Sequence, residues 1–477
     1  YLTNSGMFWD AMHMLSKVKL ELLTDEEMYE FYERGIRGGV SMVSKRYARE
    51  IKGENHIGYF DATNLYGVAM IRPLPTHGFK WIEDFNKQTI YDYNDNSEDG
   101  YTIEVTTRIP QDKHELFNDY PPMPETLEVA PDMVSPYNKR VAKANNYKIV
   151  KGKKLVPHLM GCSRYVCNIS TLKLYLELGV ELVSIHRVIG FIKSRFMESY
   201  IMKNTEERKL ARIDKNEFLA DFYKMANNAV FGKTMENVRH RENISLFCDK
   251  DKHVLKHIAS PFFKDFKIIN ENLVTISKLK EQTKLDKPIY VGQTILDFSK
   301  EHMYNFHYNV MMKKYNPKTC QLLFTDTDSL CYEIKTENFD TDFISIKEHF
   351  DFSNIDKNSP LYSVENAGVL GKFKHETKGV SITELVALKP KLYAYTIDDK
   401  EKITSKGIKK NDDNVMFKNF KECLLGGAFQ SVKQTYIRSK NHQLMTMQQE
   451  KIGLSSIDTK KYLLDNGVNY LAYGHYK

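Results

Sequence analysis

Long apolar runs are absent from this chain of 477 residues, which removes a membrane-spanning helix from the reading. No basic start leads into an apolar stretch and a small-residue cleavage site, so no secretory signal is read in this segment. Cysteine is sparse. The six (Cys162, Cys167, Cys248, Cys320, Cys331 and Cys423) form no C-x-x-C pair. Cys162 and Cys167 show no neighbouring Cys or His set, which disfavours structural zinc and fits a reducing, intracellular compartment. Internal repeats are missing as well. A large charge excess is also lacking: 69 Lys and Arg stand against 62 Asp and Glu, a net charge of +7 that permits a polyanionic partner without requiring one.

What is present points to a large enzyme. The length suits two to four compact regions or one body of several subdomains. Hydrophobic residues make up 42% and aromatics 12%, enough for a substantial core. The acidic, Asn-rich stretch Asn94 to Gly100 reads as an exposed loop, and Tyr120 to Pro136 as a Pro-bearing break. Lys151 to Lys154 and Lys406 to Lys410 are basic clusters. His56 to Phe60 predicts a buried strand leading into Asp61. Phe218 to Val230 has apolar residues at helical spacing. Gln321 to Ile334 predicts strand, tight turn, strand, with Asp326-Thr327-Asp328-Ser329 at the turn. Helices with carboxylates at strand ends and a turn predict an α+β fold.

The chemistry gathers on those segments. Asp326 and Asp328 on one hairpin turn place two like charges together, and a divalent cation relieves the repulsion. Hard carboxylate oxygens suit magnesium, which binds through one or two carboxylates plus substrate phosphates. Asp and Ser are also common turn residues, so the turn alone decides little. Asp61 offers a further carboxylate, and two metals ~3.5–4 Å apart can serve both the attacking and the leaving oxygen. Lys224, Asn228 and Phe231, spaced i, i+4, i+7, share a helix face. That face presents a cation, an amide and an aromatic plate, a set able to hold a triphosphate and stack on a base. Arg208 is the first choice for a second triphosphate contact, with Lys203 and Arg212 as rivals. Such a constellation fits phosphoryl transfer, in which the protein supplies position and positive charge.

In this order, the segments resemble the motifs of family B DNA polymerases. Asp61-Ala-Thr-Asn-Leu-Tyr66-Gly resembles D-x-x-S-L-Y-P, Lys224 to Gly232 resembles K-x-x-x-N-S-x-Y-G, and Thr325-Asp326-Thr327-Asp328-Ser329 resembles Y-x-D-T-D-S. Lys391-Leu-Tyr393 is similar to the K-x-Y element that grips the primer end. Ile36-Arg37-Gly38-Gly39 is similar to the Y-x-G-G element of protein-primed members, and Lys406-Gly407 to a further DNA contact. Phe231 to Asn237 and Leu471 to Tyr476 resemble polymerases of Polinton (Maverick) transposons and related viruses. The likeness runs from about Arg37 to about Lys410.

That resemblance implies a right-hand fold: a palm antiparallel sheet, helical fingers, a small thumb and two insertions of the protein-primed type. The implied parts are a lead-in (1–60), palm with first insertion (61–196, the insertion about 100–180), fingers (197–232), second insertion (233–287), palm with the catalytic hairpin (288–395) and thumb (396–477). The implied roles are Asp61 and Asp328 on two magnesium ions, for which manganese can substitute, with Asp326 supporting. Leu65 and Tyr66 amides, Arg208, Lys224, Asn228 and Phe231 would hold the nucleotide, and the Tyr66 ring would exclude a ribose 2′-hydroxyl. Arg37, Gly38, Gly39, Lys391, Tyr393 and Lys406 would meet DNA. The implied reaction adds deoxynucleoside monophosphates to a primer 3′-hydroxyl, or to a protein hydroxyl at initiation. The implied partners are template-primer DNA, deoxynucleoside triphosphates and a terminal priming protein, in the nucleus or at a site of viral or transposon replication. Alternatives are a polymerase-derived DNA-binding remnant, a reverse transcriptase or RNA polymerase on a similar palm, and a metal nuclease. Departures from the motifs are Asn64 for Ser, Gly67 for Pro, Ala229 for Ser, Phe231 and Ile36 for Tyr, and Thr325 before the D-T-D; none removes a metal ligand. Only sixty residues precede Asp61, and no D-x-E at a strand end is read there, so a proofreading exonuclease is not expected in this segment.

Overall fold

Two core layers sandwich a six-stranded sheet. In the computed structural model, which describes residues 3–248, 253–408, 415–440 and 443–477, its strand order is Ser41–Val43, Cys320–Asp326, Ser329–Lys335, Asn55–Ala62, Phe373–His375, Phe350–Asp351. Neighbours are antiparallel except the last pair. Lys409 and Lys410, part of one predicted basic cluster, lie outside the described residues.

Alternation along the strands sends Leu322, Leu330 and Tyr332 into one core and Leu323 and Cys331 into the other. A register shift between Leu322 and Phe324 then breaks the alternation, and Phe324 joins Leu323 in the same core. The bulge therefore re-aims the end of the strand, where Asp326 sits. The helix Ile289–Asn305 is buried on nearly every side, and it carries two buried charges, Asp297 and Lys300.

Two antiparallel helices, Glu198–Ile213 and Glu217–Thr234, stand beside this body. Their turn is made by Lys215 at φ 55° and by Asn216, whose side chain accepts from the Leu219 amide. Asn204 donates to Asn227 at 3.0 Å and locks the pair. Ala226 and Val230 of the expected apolar stripe are buried, but Phe218 is 77% exposed, because it lies in the first turn beside the helix–helix corner.

Four-stranded sheets form from 74–81, 181–194, 99–108 and 162–168, and from 400–405, 392–397, 384–389 and 47–49. Strands Asn243–Phe247, Leu273–Lys278 and Phe263–Asn270 make a separate small sheet. A hairpin, Gln430–Lys440 with Gln443–Leu454, pairs only with itself among the described strands. After Leu454 the chain returns to the body, where Lys460 donates to Ser41 O and Lys461 to Asn118 O. Burial of those two ammonium groups against backbone carbonyls holds the return in place. The predicted loop at Asn94 is likewise tethered: Asp95 pairs with Arg72 at 2.9 Å. No helix among the described residues is long and apolar enough to cross a membrane.

Candidate active site

Strand pairing brings the three aspartates together. Ser329 pairs with Asp61 in the sheet, and the Ala62 amide donates to Asp328 O at 2.7 Å. Between Asp326 and Asp328 the chain makes a γ-turn. The Asp328 amide donates to Asp326 O at 2.8 Å, and Thr327 has φ 70°. A β-branched residue with that φ costs of order 1–3 kcal/mol and persists only where its surroundings enforce it.

Burial and mutual repulsion dominate the electrostatics. The Asp61 carboxyl is pushed up to about 8, first by burial, then by Asp328 and Glu376, against the pull of Lys224. Burial, with Asp326 adding to it, also raises Asp328. Asp326 is flanked by cations: Lys391 Nζ lies 2.7 Å from it and Lys406 Nζ 3.9 Å. The two carboxyls whose pKa is raised are the two to which the family resemblance assigns metal. Their hard oxygens and raised pKa values are the state a divalent cation relieves, so the donor set fits magnesium.

Asn64 and Gly67, two departures from the family motif, explain each other. Asn64 has φ 50° and its Oδ1 accepts from the Gly67 amide at 3.2 Å, capping the helix Leu65–Met70. A Cβ on Gly67 would lie 2.3 Å from Asn64 Nδ2. Restoring the motif residue alone, Gly67→Pro, removes the donor and crowds the cap. We expect it to cost about 1–2 kcal/mol in urea denaturation, with Asn64→Ser/Gly67→Pro recovering most of that loss. A double variant no better than the single one would refute the coupling.

The helix pair supplies the rest. Lys224 and Asn228 are exposed on one face, and Phe231 stacks on the Tyr66 ring with centroids 4.4 Å apart. Arg208, Arg212, Lys209 and Lys224 line a cleft with Thr63 and Asn64. Arg208 Nε is buried and has no hydrogen-bond partner, and burial together with Arg212 pulls its pKa down. Lys203 does not line this cleft. An orphaned guanidinium donor among like charges is an anion site in waiting.

Two expected DNA contacts sit elsewhere. The Arg37 guanidinium is interior, 8% exposed, donating to Val166 O at 2.8 Å and lying 3.8 Å over the Tyr165 ring. It does not reach the surface as the motif suggested, because the buried carbonyls of this crossing need a donor. Gly38 is exposed, and Gly39 lies against Thr327. Tyr393 is 4% exposed, stacked on Phe324 with its hydroxyl 2.9 Å from that of Tyr59. Leu65 is buried, so only its backbone is available to the site.

Sequence reasoning missed Glu376 and gave Lys209 only as a further cation beside Arg208. Glu376 follows the strand whose Lys374 pairs with Asp61, and its amide donates to Tyr59 O at 2.8 Å. No local pattern marks it. The reading also gave Cys162 no partners, whereas Glu125 and His158 gather around it, their ligand atoms within 4.8 Å of one another. That cluster satisfies itself. The Met160 amide donates to His158 Nδ1 at 3.3 Å, so Nε2 carries the proton and faces Glu125 at 3.1 Å, and the thiol donates to Met123 O. A metal-bound imidazole needs the opposite arrangement.

A palm-like sheet bearing three aspartates, a helix pair with a cationic cleft and a projecting hairpin define a right-hand nucleic-acid polymerase. The profile of DNA polymerase type B, organellar and viral, matches residues 3–311, and the chain belongs to that family. Solved structures of Phi29 DNA polymerase share the fold. The ternary complex with primer-template DNA and incoming nucleotide aligns over 95% of this chain and 68% of that one, with TM-score 0.57 and 15% identity. The orthorhombic crystal form gives 0.56 at 13%, and the complex with single-stranded DNA 0.53 at 14%, both with the same coverage. No curated protein sequence matches.

Proposed function

We propose that this chain extends a DNA primer on a DNA template, with deoxynucleoside triphosphates as substrates and Asp61 and Asp328 as the ligands of two magnesium ions. The observation that carries it is the pair of half-buried carboxyls whose pKa is raised, beside a cleft whose Arg208 Nε has no hydrogen-bond partner. The primer 3′-oxygen attacks the α-phosphorus. A new P–O bond forms as the bond to the bridging oxygen breaks, and pyrophosphate leaves. Bound magnesium supplies charge neutralisation for the attacking and leaving oxygens.

The protein's own groups do the positioning. The Asn64 cap takes the Gly67 amide and leaves those of Leu65 and Tyr66, at the helix start, for the triphosphate. Lys224 and Arg208, helped by Arg212 and Lys209, hold the β and γ phosphates. The stacked Tyr66 and Phe231 rings close the sugar and base side, with Asn228 beside them, and Tyr66 excludes a 2′-hydroxyl. Lys391 and Lys406 approach the primer phosphates from Asp326, with Tyr393 beneath them as support. Gly38, exposed beside the turn, leaves room for the template strand. Fingers are assigned to 198–234, the second insertion to the small sheet 243–278, and the thumb to the hairpin 430–454. Start from a protein hydroxyl, held near the first insertion at about 100–180, completes the reading.

Extension of a labelled primer with magnesium and the four deoxynucleotides tests it. Arg208→Ala should raise KM for nucleotide about tenfold or more, since a charge-assisted bond is worth ~1.5–3 kcal/mol. Intact DNA binding without extension would leave only a binding remnant. Equal use of ribonucleotides would remove Tyr66 from its role.

A further inference from the structure

The strained turn between Asp326 and Asp328 is held from one side by a segment that the reading above leaves without a catalytic part. The Thr327 amide donates to Val40 O at 2.8 Å, and Ser41 pairs with Asp326. At Gly39 the two chains press together: a Cβ there would lie 2.3 Å from Thr327 Cγ2 and 3.1 Å from its Cβ. Glycine is required here by space, since Gly39 is not among the residues with positive φ.

The segment is itself fixed from below by an unusual anchor. Lys300, 3% exposed on the long buried helix, donates to Arg37 O at 2.6 Å and to Leu296 O at 2.9 Å. Its neighbour Asp297 accepts from the Asn168 amide at 2.8 Å and, through the same carboxylate oxygen, from the Gln293 side chain. The Arg37 guanidinium ties the same crossing to Val166 O. Two cations and one carboxylate are thus buried to hold a few residues of backbone. Burying charge in this way is costly, and packed apolar residues would fill the space more cheaply. A buried ionic anchor directly behind a strained catalytic turn is a device for position.

We propose that Arg37 to Val40 is a clamp that keeps the Asp326–Asp328 γ-turn in its strained form, and that Lys300 and Gly39 are its positioning residues. This rests on the polymerase reading. Without the clamp Thr327 relaxes to negative φ, and the Asp328 carboxyl turns away from Asp61. Nucleotide binding, which uses other residues, is untouched.

The test is steady-state primer extension by the full chain, comparing Lys300→Met, Gly39→Ala and Gly39→Ala/Thr327→Ser, with melting temperatures for each. The clamp predicts that both single variants lose kcat tenfold or more. KM for nucleotide should stay within threefold, and the magnesium concentration for half-maximal rate should rise. Thr327→Ser removes the methyl that a Gly39 Cβ meets, so the double variant should recover most of the lost kcat. Variants with unchanged kcat overturn the clamp. So does a kcat loss that only follows melting temperature and is not recovered in the double variant. If the unmodified chain extends no primer, the polymerase reading itself fails, a result distinct from either.

Discussion

Asp328→Asn should abolish primer extension, with kcat down at least a thousandfold, on the order of 4 kcal/mol of transition-state stabilisation. Asp61→Asn should do the same. Asp326→Asn should cost far less, about tenfold, because Asp326 is occupied by Lys391 and Lys406. Primer-template affinity, read by fluorescence anisotropy, should stay within threefold for the Asp61 and Asp328 variants. Stability should move the opposite way from activity. Asp61 is raised from 3.8 to about 8 in the folded chain, so the fold keeps a proton that the unfolded chain releases. Metal-free stability therefore falls as pH climbs from about 4 to about 8, and levels off above. Asp61→Asn removes that penalty. The metal-free variant should melt higher than the unmodified chain at pH 8 and equally at pH 4. Magnesium should raise the melting temperature of the unmodified chain most at high pH, where protons no longer compete for the carboxyls, and should do little for the variant. Retained extension by Asp328→Asn would remove the aspartates from the chemistry.

Arg46→Met is the second large effect, and it falls on stability. Arg46 is fully buried, and among the described residues its hydrogen-bond partners are carbonyls. Its guanidinium donates to Leu388 O, to Ser456 O and, at 3.3 Å, to Gly467 O. One side chain thus joins the strand Glu384–Lys389 to the C-terminal return. Methionine fills the space and leaves three carbonyls buried without a donor, each costing ~1–3 kcal/mol, less whatever water recovers. A loss of about 3–5 kcal/mol is expected in the urea midpoint. Limited proteolysis should cut the variant after Leu454 before anywhere else in the body. Arg46→Lys should rescue little, because a single ammonium cannot span three carbonyls in a fork. A stability loss below about 1 kcal/mol would show that the return is held by its apolar contacts, such as Leu463 and Tyr470, rather than by Arg46.

Local pattern determined a good deal of this protein. Alternation around Asp326 and Asp328 required a hairpin, and helical spacing put Lys224, Asn228 and Phe231 on one face, because the periods of strand and helix are written in consecutive residues. The tertiary structure decided what those residues meet. Lys391 and Lys406 were read as DNA contacts, and long-range folding sets them on Asp326. Arg46 looks like any exposed arginine in sequence, and Arg37 was read as a DNA contact. Both are interior, since their partners, Val166 and Leu388, lie more than a hundred residues away along the chain. The bulge at Leu322 to Phe324 left the hydrophobic pattern intact while changing which core the strand end faces. Glu376 enters the site only because its strand pairs beside Asp61. Sequence carries the chemistry of each side chain and the period of each element; the charge balance of a buried site depends on contacts that exist only once the chain has closed on itself.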